Sequence, residues 1–173
     1  MPFIRITTRE AIPAKKKSAL AQALSDTMLN IEIGGATDAA CTRDWIWFQV
    51  IPAGDWAIGG RFDEAYRRGR TMCLASIIAP EGFMNSELKQ RAIVEVTADI
   101  RAALALSPAD DGTGIWVHVT EIPEGQWGAA GMPTPLFSLI AGMGGKVSDQ
   151  RLDEMKAYFA GLEKLKTTFG IPD

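Results

Sequence analysis

The sequence predicts an α/β protein in which two tandem β-α-β units form one four-stranded sheet with two helices on one face. A C-terminal helical arm follows. Two observations carry this prediction. The chain repeats itself once, and each copy has the same order of strand, helix and strand. Parallel strands joined by a helix form a right-handed unit, and two such units can share one sheet.

The repeat has an offset of 71 residues. Trp-Ala-Ile-Gly-Gly at 56–60 resembles Trp-Gly-Ala-Ala-Gly at 127–131. The same offset relates Ile51-Pro52 to Ile122-Pro123 and Trp45 to Trp116. We therefore expect a double unit over 1–131, with its copies at about 2–62 and 70–131.

The first copy begins with a predicted strand at 3–7. A helix over 13–30 follows, because Pro13 suits a first helical turn and apolar residues recur at helical spacing. The second strand is predicted at 45–51. It leads into a Pro/Gly turn.

The second copy repeats this order with a strand at about 71–78, a helix at 85–106 and a strand at 115–122. Asn85 is the expected N-cap. The arm spans 132–173. We expect turns and loops over 132–147 and an amphipathic helix over 148–166, beginning at Ser148.

Both helices should cover one sheet face, which leaves the other face open. Ile4, Ile6, Trp47 and Val50 are the side chains expected to need a partner there. A bare apolar sheet face is typical of a subunit interface, so we expect a homo-oligomer.

Composition excludes several function classes. The net charge is −3 over 173 residues, which argues against a nucleic-acid binder. No apolar stretch has the length of a membrane span, and the short apolar run at the start leads us to expect no signal peptide. Cys41 and Cys73 fit reduced thiols in a cytoplasmic protein. A single histidine and two separated cysteines predict no metal site.

Pro2 is the candidate catalytic residue. If Met1 is removed, the Pro2 nitrogen becomes a free secondary amine at the start of a strand. Such an amine acts as an acid or base, or attacks a carbonyl. If Met1 stays attached, the same nitrogen is a tertiary amide without basicity. An ordinary second residue is the alternative interpretation.

Candidate substrate-binding residues are aromatic rings for an apolar wall and cations for a carboxylate. Tryptophans also pack in cores and interfaces, His118 fits a pocket or an interface equally, and Arg61 is a further candidate cation. The substrate-binding candidates are Trp45, Trp116, His118, Trp127, Arg43 and Arg70.

The Met-Pro start, the β-α-β units and the aromatic residue before Gly-Gly resemble the tautomerase superfamily, with a tautomerase/MIF-like fold. The stretch 114–123, Gly-Ile-Trp-Val-His-Val-Thr-Glu-Ile-Pro, is similar as well. The type member is 4-oxalocrotonate tautomerase (4-OT), and fused members include a dehalogenase and a decarboxylase. The resemblance implies a homotrimer, a small-molecule substrate, no cofactor, and catalysis by Pro2. Cys73 occupies the position equivalent to Pro2 in the second copy.

The sequence also departs from the fused members. The resemblance leads us to expect paired arginines after the third strand, but residues 79–84 contain none. Met28 stands near an expected histidine, Ala129 at an expected glutamate, and His118 at an expected tyrosine. These departures disfavour hydrolytic dehalogenation.

Two functional hypotheses follow. The chain is a tautomerase or isomerase of an enol or unsaturated keto acid, with decarboxylation or hydration as related chemistry. Alternatively, it is a trimeric scaffold or binding protein that has lost catalysis.

Overall fold

A computed structural model of the chain describes residues 3–171 and contains one main sheet with helices packed on it. The two units occupy most of the chain, and two further helices form the arm. In chain order the elements are β1 Phe3–Thr8, α1 Ala14–Ile33, α2 Asp38–Cys41, β2 Trp45–Val50, β3 Cys73–Pro80, α3 Ser86–Leu104, β4 Ile115–Ile122, β5 Gly128–Ala129, β6 Met132–Pro133, α4 Leu136–Met143 and α5 Asp149–Phe169.

The main sheet has the strand order β2-β1-β3-β4. β1 and β2 are parallel, as are β3 and β4, and the two units meet along an antiparallel pair, β1 and β3. This topology confirms the predicted four-stranded sheet. Because β1 and β3 are antiparallel, the beginnings of the two units lie at opposite ends of the sheet.

One sheet face packs against α1 and α3. Ile4 and Ile6 are fully buried there, and Ala75 and Ile77 of β3 lie in the same core with Leu20 of α1. The expectation that Ile4 and Ile6 face an open surface was therefore wrong. Strand residues alternate between faces, and these two lie in register with Ile46 and Phe48 beneath the helices.

The opposite face is open and aromatic. Trp45 and Trp47 on β2 and Trp116 on β4 are exposed to 59%, 39% and 69%. Trp47 thus behaves as predicted. Val50 does not, because it shares the register position of Thr8 and Cys73 on the side of the helices.

A second hydrophobic cluster joins the arm to the end of the sheet where β1 begins. Leu29 and Ile33 of α1 pack there with Trp127, and Phe3 is partly buried against them. Residues 132–147 are more ordered than expected. α4 forms because Leu136, Leu139 and Met143 share one helical face, which is buried in this cluster.

α5 begins at Asp149, six residues after α4 ends at Met143. Ser148 accepts a hydrogen bond from the Arg151 N–H and caps the helix, as the sequence predicts. The arm is anchored by Met155, which is buried, and by the Arg151 side chain. No helix among residues 3–171 combines the length and apolar character needed to cross a membrane.

Candidate active site

A cavity of about 600 Å³ opens where β1 begins. Its walls come from the first residue of β1, the segment that enters β2, the hairpin of β5 and β6, and the arm. The lining residues are Phe3, Thr42, Arg43, Trp45, Trp127, Gly128, Ala129, Ala130, Thr134 and Leu139.

Three aromatic rings form one side of the cavity. The Phe3 ring stacks on Trp45 with centroids 5.0 Å apart and an interplanar angle of 19°. The Trp127 ring lies 5.0 Å from Phe3 at 34°. Trp127 is only 9% exposed, so its indole is a fixed wall. Offset and tilted contacts of this kind are favourable for aromatic pairs.

The hairpin that follows Trp127 shapes the rim. Gly128 and Ala129 of β5 pair with Pro133 and Met132 of β6. The two residues between them, Ala130 and Gly131, have positive φ values of 52° and 76°. Two left-handed residues make the tight turn that suits a two-residue hairpin. The turn directs the backbone of 128–130 along the cavity.

Arg43 supplies the cation in the cavity wall. α2 ends just before it, and Thr37 caps that helix by accepting from the Ala40 N–H at 3.0 Å. Arg43 Nη1 donates to the Ala39 carbonyl at 2.6 Å, which holds the guanidinium beside the helix. None of the ion pairs among residues 3–171 involves Arg43. Its charge is therefore available to an anionic ligand.

Two acidic side chains, Asp44 and Glu32, lie just before β2 and at the end of α1. Asp44 directly precedes Trp45, and burial raises the pKa of its carboxyl while the Ser25 hydroxyl lowers it. Glu32, in the last turn of α1, is fully buried. Burial likewise raises the pKa of Glu32, and Asp44 adds to that rise, whereas the positive charge of Arg151 opposes it. Removing a carboxylate from water favours its neutral form.

The Arg151 side chain connects the arm to the end of α1 and to the segment between β3 and α3. Its Nη1 donates to the Glu32 carbonyl at 2.6 Å, and its Nη2 donates to the Phe83 carbonyl at 2.7 Å. The Glu32 carbonyl belongs to the last turn of α1, where such oxygens lack partners within the helix. Burial lowers the pKa of Arg151.

The structure brings together three of the predicted substrate-binding residues. Trp45, Trp127 and Arg43 line the cavity. Pro2, the predicted catalytic residue, lies outside the described residues. Ala129 lines the cavity at the position where the resemblance led us to expect a glutamate.

The other three predicted binding residues lie elsewhere. Trp116 and His118 are exposed on β4, and the register places them on the open sheet face. Arg70 donates to the Tyr66 carbonyl at 2.7 Å and to Thr113 Oγ1 at 2.8 Å, next to the start of β3. Arg61, the further candidate, pairs with Asp63 on the surface.

Cys73 stands at the start of β3, where the repeat places the counterpart of Pro2. Its side chain is 1% exposed, and burial raises the pKa of the thiol to about 12. A nucleophilic thiolate is therefore not formed there near neutral pH. Within the described residues no group of three or more side chains is arranged to bind a metal ion.

Sequence reasoning missed several residues at this site. Phe3 carried an aromatic signal beside Pro2, and Thr42 directly precedes the predicted Arg43. Thr134 and Leu139 of the arm gave no comparable signal, since their place in the wall depends on how the arm folds back. The buried carboxyls of Glu32 and Asp44 also depend on tertiary packing.

Comparison with solved structures identifies the fold. A fused 4-OT in an asymmetric trimer superposes with a TM-score of 0.61 at 18% identity, over 76% of this chain and 94% of that chain. A malonate semialdehyde decarboxylase inhibited by 3-bromopropiolate gives 0.54 at 16% identity, over 76% and 92%. Macrophage migration inhibitory factor from Toxoplasma gondii gives 0.55 at 12% identity, over 75% and 96%.

No family model matches the sequence, and no curated protein matches it either. The structural matches nevertheless agree on one architecture. The chain has the fold of the tautomerase superfamily, with a four-stranded mixed sheet, helices packed on it and a C-terminal helix.

Proposed function

We propose that this chain is a cofactor-independent tautomerase of an enol or unsaturated keto acid, with the Pro2 amine as acid and base once Met1 has been removed. One observation carries the proposal: an aromatic cavity with a cation in its wall lies at Phe3, the residue that follows Pro2. Structural matches that include a fused 4-OT support the same chemistry. Cytoplasmic Met1 processing and reduced cysteines are part of the proposal.

The surroundings suit an amine that changes its protonation state near neutral pH. A free α-amino group has a pKa of roughly 7.7–8.0 in water. The rings of Phe3, Trp45 and Trp127 lower the local polarity, and the Arg43 charge repels an ammonium. Both effects favour the neutral amine. A base with a pKa near the working pH transfers protons efficiently in both directions.

The proposed reaction is a proton transfer from oxygen to carbon. The neutral Pro2 nitrogen takes the proton of the enol hydroxyl, and the O–H electron pair forms the new carbonyl bond. The electron pair of the carbon-carbon double bond then takes the proton from the Pro2 ammonium. Pro2 returns to its neutral form, and the substrate leaves as the keto isomer. No other reactant is consumed.

Arg43 is the proposed carboxylate anchor. A guanidinium binds a carboxylate through two parallel N–H donors, which fixes the orientation of the acid as well as its position. The flat conjugated part of the substrate would then lie along Trp45 and Trp127. Trp116, His118 and Arg70 do not line this cavity, so the proposal gives them no direct role in substrate binding in the same chain.

We also propose that the chain assembles as a homotrimer. The open sheet face exposes Trp45, Trp47 and Trp116, which is more aromatic surface than an isolated sheet normally leaves in water. A structurally similar fused 4-OT is a trimer. A trimer would cover these faces with one another.

Decarboxylation of a β-keto acid is the second candidate. It is supported by the match to a malonate semialdehyde decarboxylase. The same cavity would hold the acid, but the turn at 81–84 offers no arginine pair to orient its carboxylate. Release of carbon dioxide distinguishes this reaction from tautomerisation, which conserves every atom of the substrate.

The test combines N-terminal mass spectrometry with kinetics. The first measurement is the mass of the N-terminal peptide from the native host. The second is the rate of ketonisation of phenylenolpyruvate and of 2-hydroxymuconate by wild type, by Pro2→Ala, and by Pro108→Ala as a control at an exposed loop proline. We expect Met1 to be absent, Pro2→Ala to lose at least about 100-fold in kcat/KM, and Pro108→Ala to match wild type.

Complete retention of Met1 would eliminate the mechanism, because a tertiary amide cannot carry the proton. Equal rates for wild type and Pro2→Ala would eliminate the catalytic role of Pro2. Carbon dioxide release from a β-keto acid, together with slow ketonisation, would favour the decarboxylase. Absence of both activities would favour a binding protein.

A further inference from the structure

We infer that the open sheet face carries an oxyanion-binding site made by the Arg5 guanidinium, the Ser76 hydroxyl and the His118 imidazole. This site is distinct from the cavity at the start of β1. Its enclosure depends on the proposed homotrimer, whereas its residues come from one chain and are independent of Pro2.

The three side chains form one row across the sheet. Arg5 on β1 is in register with Ser76 on β3, and Ser76 is in register with His118 on β4. Ile4 and Ile6, on either side of Arg5, point into the helix-covered core. The alternation along β1 therefore places Arg5 on the open face. Trp47 continues the row on β2, also in register with Arg5.

Two polar atoms in this row have no hydrogen-bond partner among residues 3–171. They are Arg5 Nε and Ser76 Oγ, and both atoms are buried. Ser76 as a whole is only 2% exposed. Buried polar groups in native proteins nearly always have partners, so an unsatisfied donor pair next to each other indicates a missing acceptor.

The charge on this face is also unbalanced. On the open face the register forms three rows of four residues each, and none of these twelve residues is Asp or Glu. Arg5 is the single permanently charged side chain of these rows. Its neighbours on β2 include Trp45 and Trp47, so partner subunits that cover this face would bury the guanidinium among aromatic rings. An isolated buried charge is strongly disfavoured unless a counter-charge accompanies it.

The donors define the ligand class. A guanidinium offers paired N–H donors, a hydroxyl offers one O–H donor, and an imidazole N–H offers another. Such a donor set fits a small oxyanion such as a carboxylate, sulfate or phosphate. We place a dissolved anion there rather than a carboxylate of a neighbouring copy. The open face itself has no acid to exchange between copies, since each copy presents the same three rows.

The test is isothermal titration of the assembled protein with inorganic phosphate, sulfate and acetate, in a chloride buffer free of other oxyanions. We expect saturable binding by wild type and at least a tenfold loss of affinity in Arg5→Gln. Ser76→Ala should lose affinity several-fold. Arg91→Gln, which removes an exposed arginine of α3, is the matched control and should bind as wild type does. The three anions distinguish phosphate-like from carboxylate ligands.

Two further variants separate this site from the cavity and from a folding defect. Arg43→Gln should leave the binding of phosphate unchanged. If Arg5→Gln does not fold by circular dichroism, Ser76→Ala and His118→Phe supply the affinity comparison. Failure of the Pro2 mechanism would appear in ketonisation rates and would leave these titrations unaffected.

The inference is overturned if none of the three anions binds saturably, because a neighbouring copy then satisfies Arg5. It is also overturned if Arg5→Gln and Arg91→Gln bind phosphate equally, or if Arg43→Gln abolishes phosphate binding while Ser76→Ala does not.

Discussion

The starts of β1 and β3 are equivalent in the repeat, yet their surroundings differ. Phe3 opens onto an aromatic cavity of about 600 Å³. Thr71, just before β3, borders a groove of about 380 Å³ with no aromatic ring in its lining. Arg70 and Asp110 at that groove form hydrogen bonds within the protein. Asp110 accepts hydrogen bonds from the N–H groups of Thr71, at 2.8 Å, and Gly112, at 3.0 Å.

The difference shows how a repeated fold acquires one site rather than two. The two units have the same strand and helix order, so the fold alone does not create the cavity. The remaining walls of the cavity come from the segment after β4, which continues into the C-terminal arm. The segment after β2 is not followed by a comparable arm. Thr134 and Leu139 complete the cavity wall at the start of β1. At the start of β3, Asp110 and Arg70 instead form hydrogen bonds with backbone groups of the protein.

The largest expected effect separates the two repeated tryptophans. Trp127→Ala removes a buried indole between the sheet and the arm, and it should lower the free energy of unfolding by about 3–5 kcal/mol. Trp56→Ala, at the equivalent position of the first unit, removes a half-buried ring and should cost about 1 kcal/mol. Urea unfolding at one fixed protein concentration measures both. Equal losses of unfolding free energy would mean that Trp127 in the cavity wall contributes no more stability than its counterpart Trp56.

A second comparison contrasts Arg43 in the cavity at the start of β1 with Arg70 beside the start of β3. Arg43→Gln should reduce kcat/KM for an anionic enol acid about 10- to 100-fold, because a charge-assisted pair contributes about 1.5–3 kcal/mol. Arg70→Gln should leave kcat/KM within about twofold, since Arg70 binds protein carbonyl and hydroxyl oxygens. Steady-state kinetics with phenylenolpyruvate supply the values. A larger loss of kcat/KM in Arg70→Gln than in Arg43→Gln would mean that Arg70, not Arg43, binds the substrate carboxylate.

The smallest effect concerns Asp110 and pH. Burial raises the pKa of Asp110, but the hydrogen bonds from Thr71 and Gly112 and the charge of Arg101 outweigh that, so the net pKa is lowered. A lowered pKa in the folded state stabilises the protein above the unfolded value of about 3.9 and loses that contribution as pH falls through the folded value.

Asp110→Asn should therefore lower the free energy of unfolding at pH 7 by about 1–2 kcal/mol and flatten its dependence on pH below about 4. Denaturant titrations at several pH values test this, with the exposed Asp153→Asn as control. Identical pH dependence in wild type and Asp110→Asn would show that the carboxylate does not stabilise the start of β3.

Local patterns were sufficient to predict the sheet, its main helices and the cap residues. The β4 bounds agree with the prediction, and Asn85 caps α3 by accepting from the Leu88 N–H at 3.0 Å. α4 was missed because its flanking prolines and glycines indicate turns, whereas its apolar face is stabilised only by tertiary contacts. Ile4 and Ile6 were assigned to the wrong face because both faces of a central strand can be apolar.

The candidate site was partly predictable, because some of its residues lie close to a predicted strand. Trp45 and Arg43 adjoin a strand whose parallel partner starts at Phe3, so sequence order places them near each other. Trp116 and His118 belong to the opposite edge of the sheet, which β3 separates from β1. Trp127 was expected from the repeat, but its position depends on how the chain turns back after β4.

The Arg151 side chain also bears on how the protein is made. Its hydrogen bonds join residues that are 119 and 68 positions apart in the chain. Proteins are synthesised from the N-terminus, and early segments can fold before later ones leave the ribosome. The sheet and its two helices are complete at Ile122, but the cluster beside Phe3 needs Met155. A nascent chain would therefore hold a formed sheet while the wall of its cavity was still being translated.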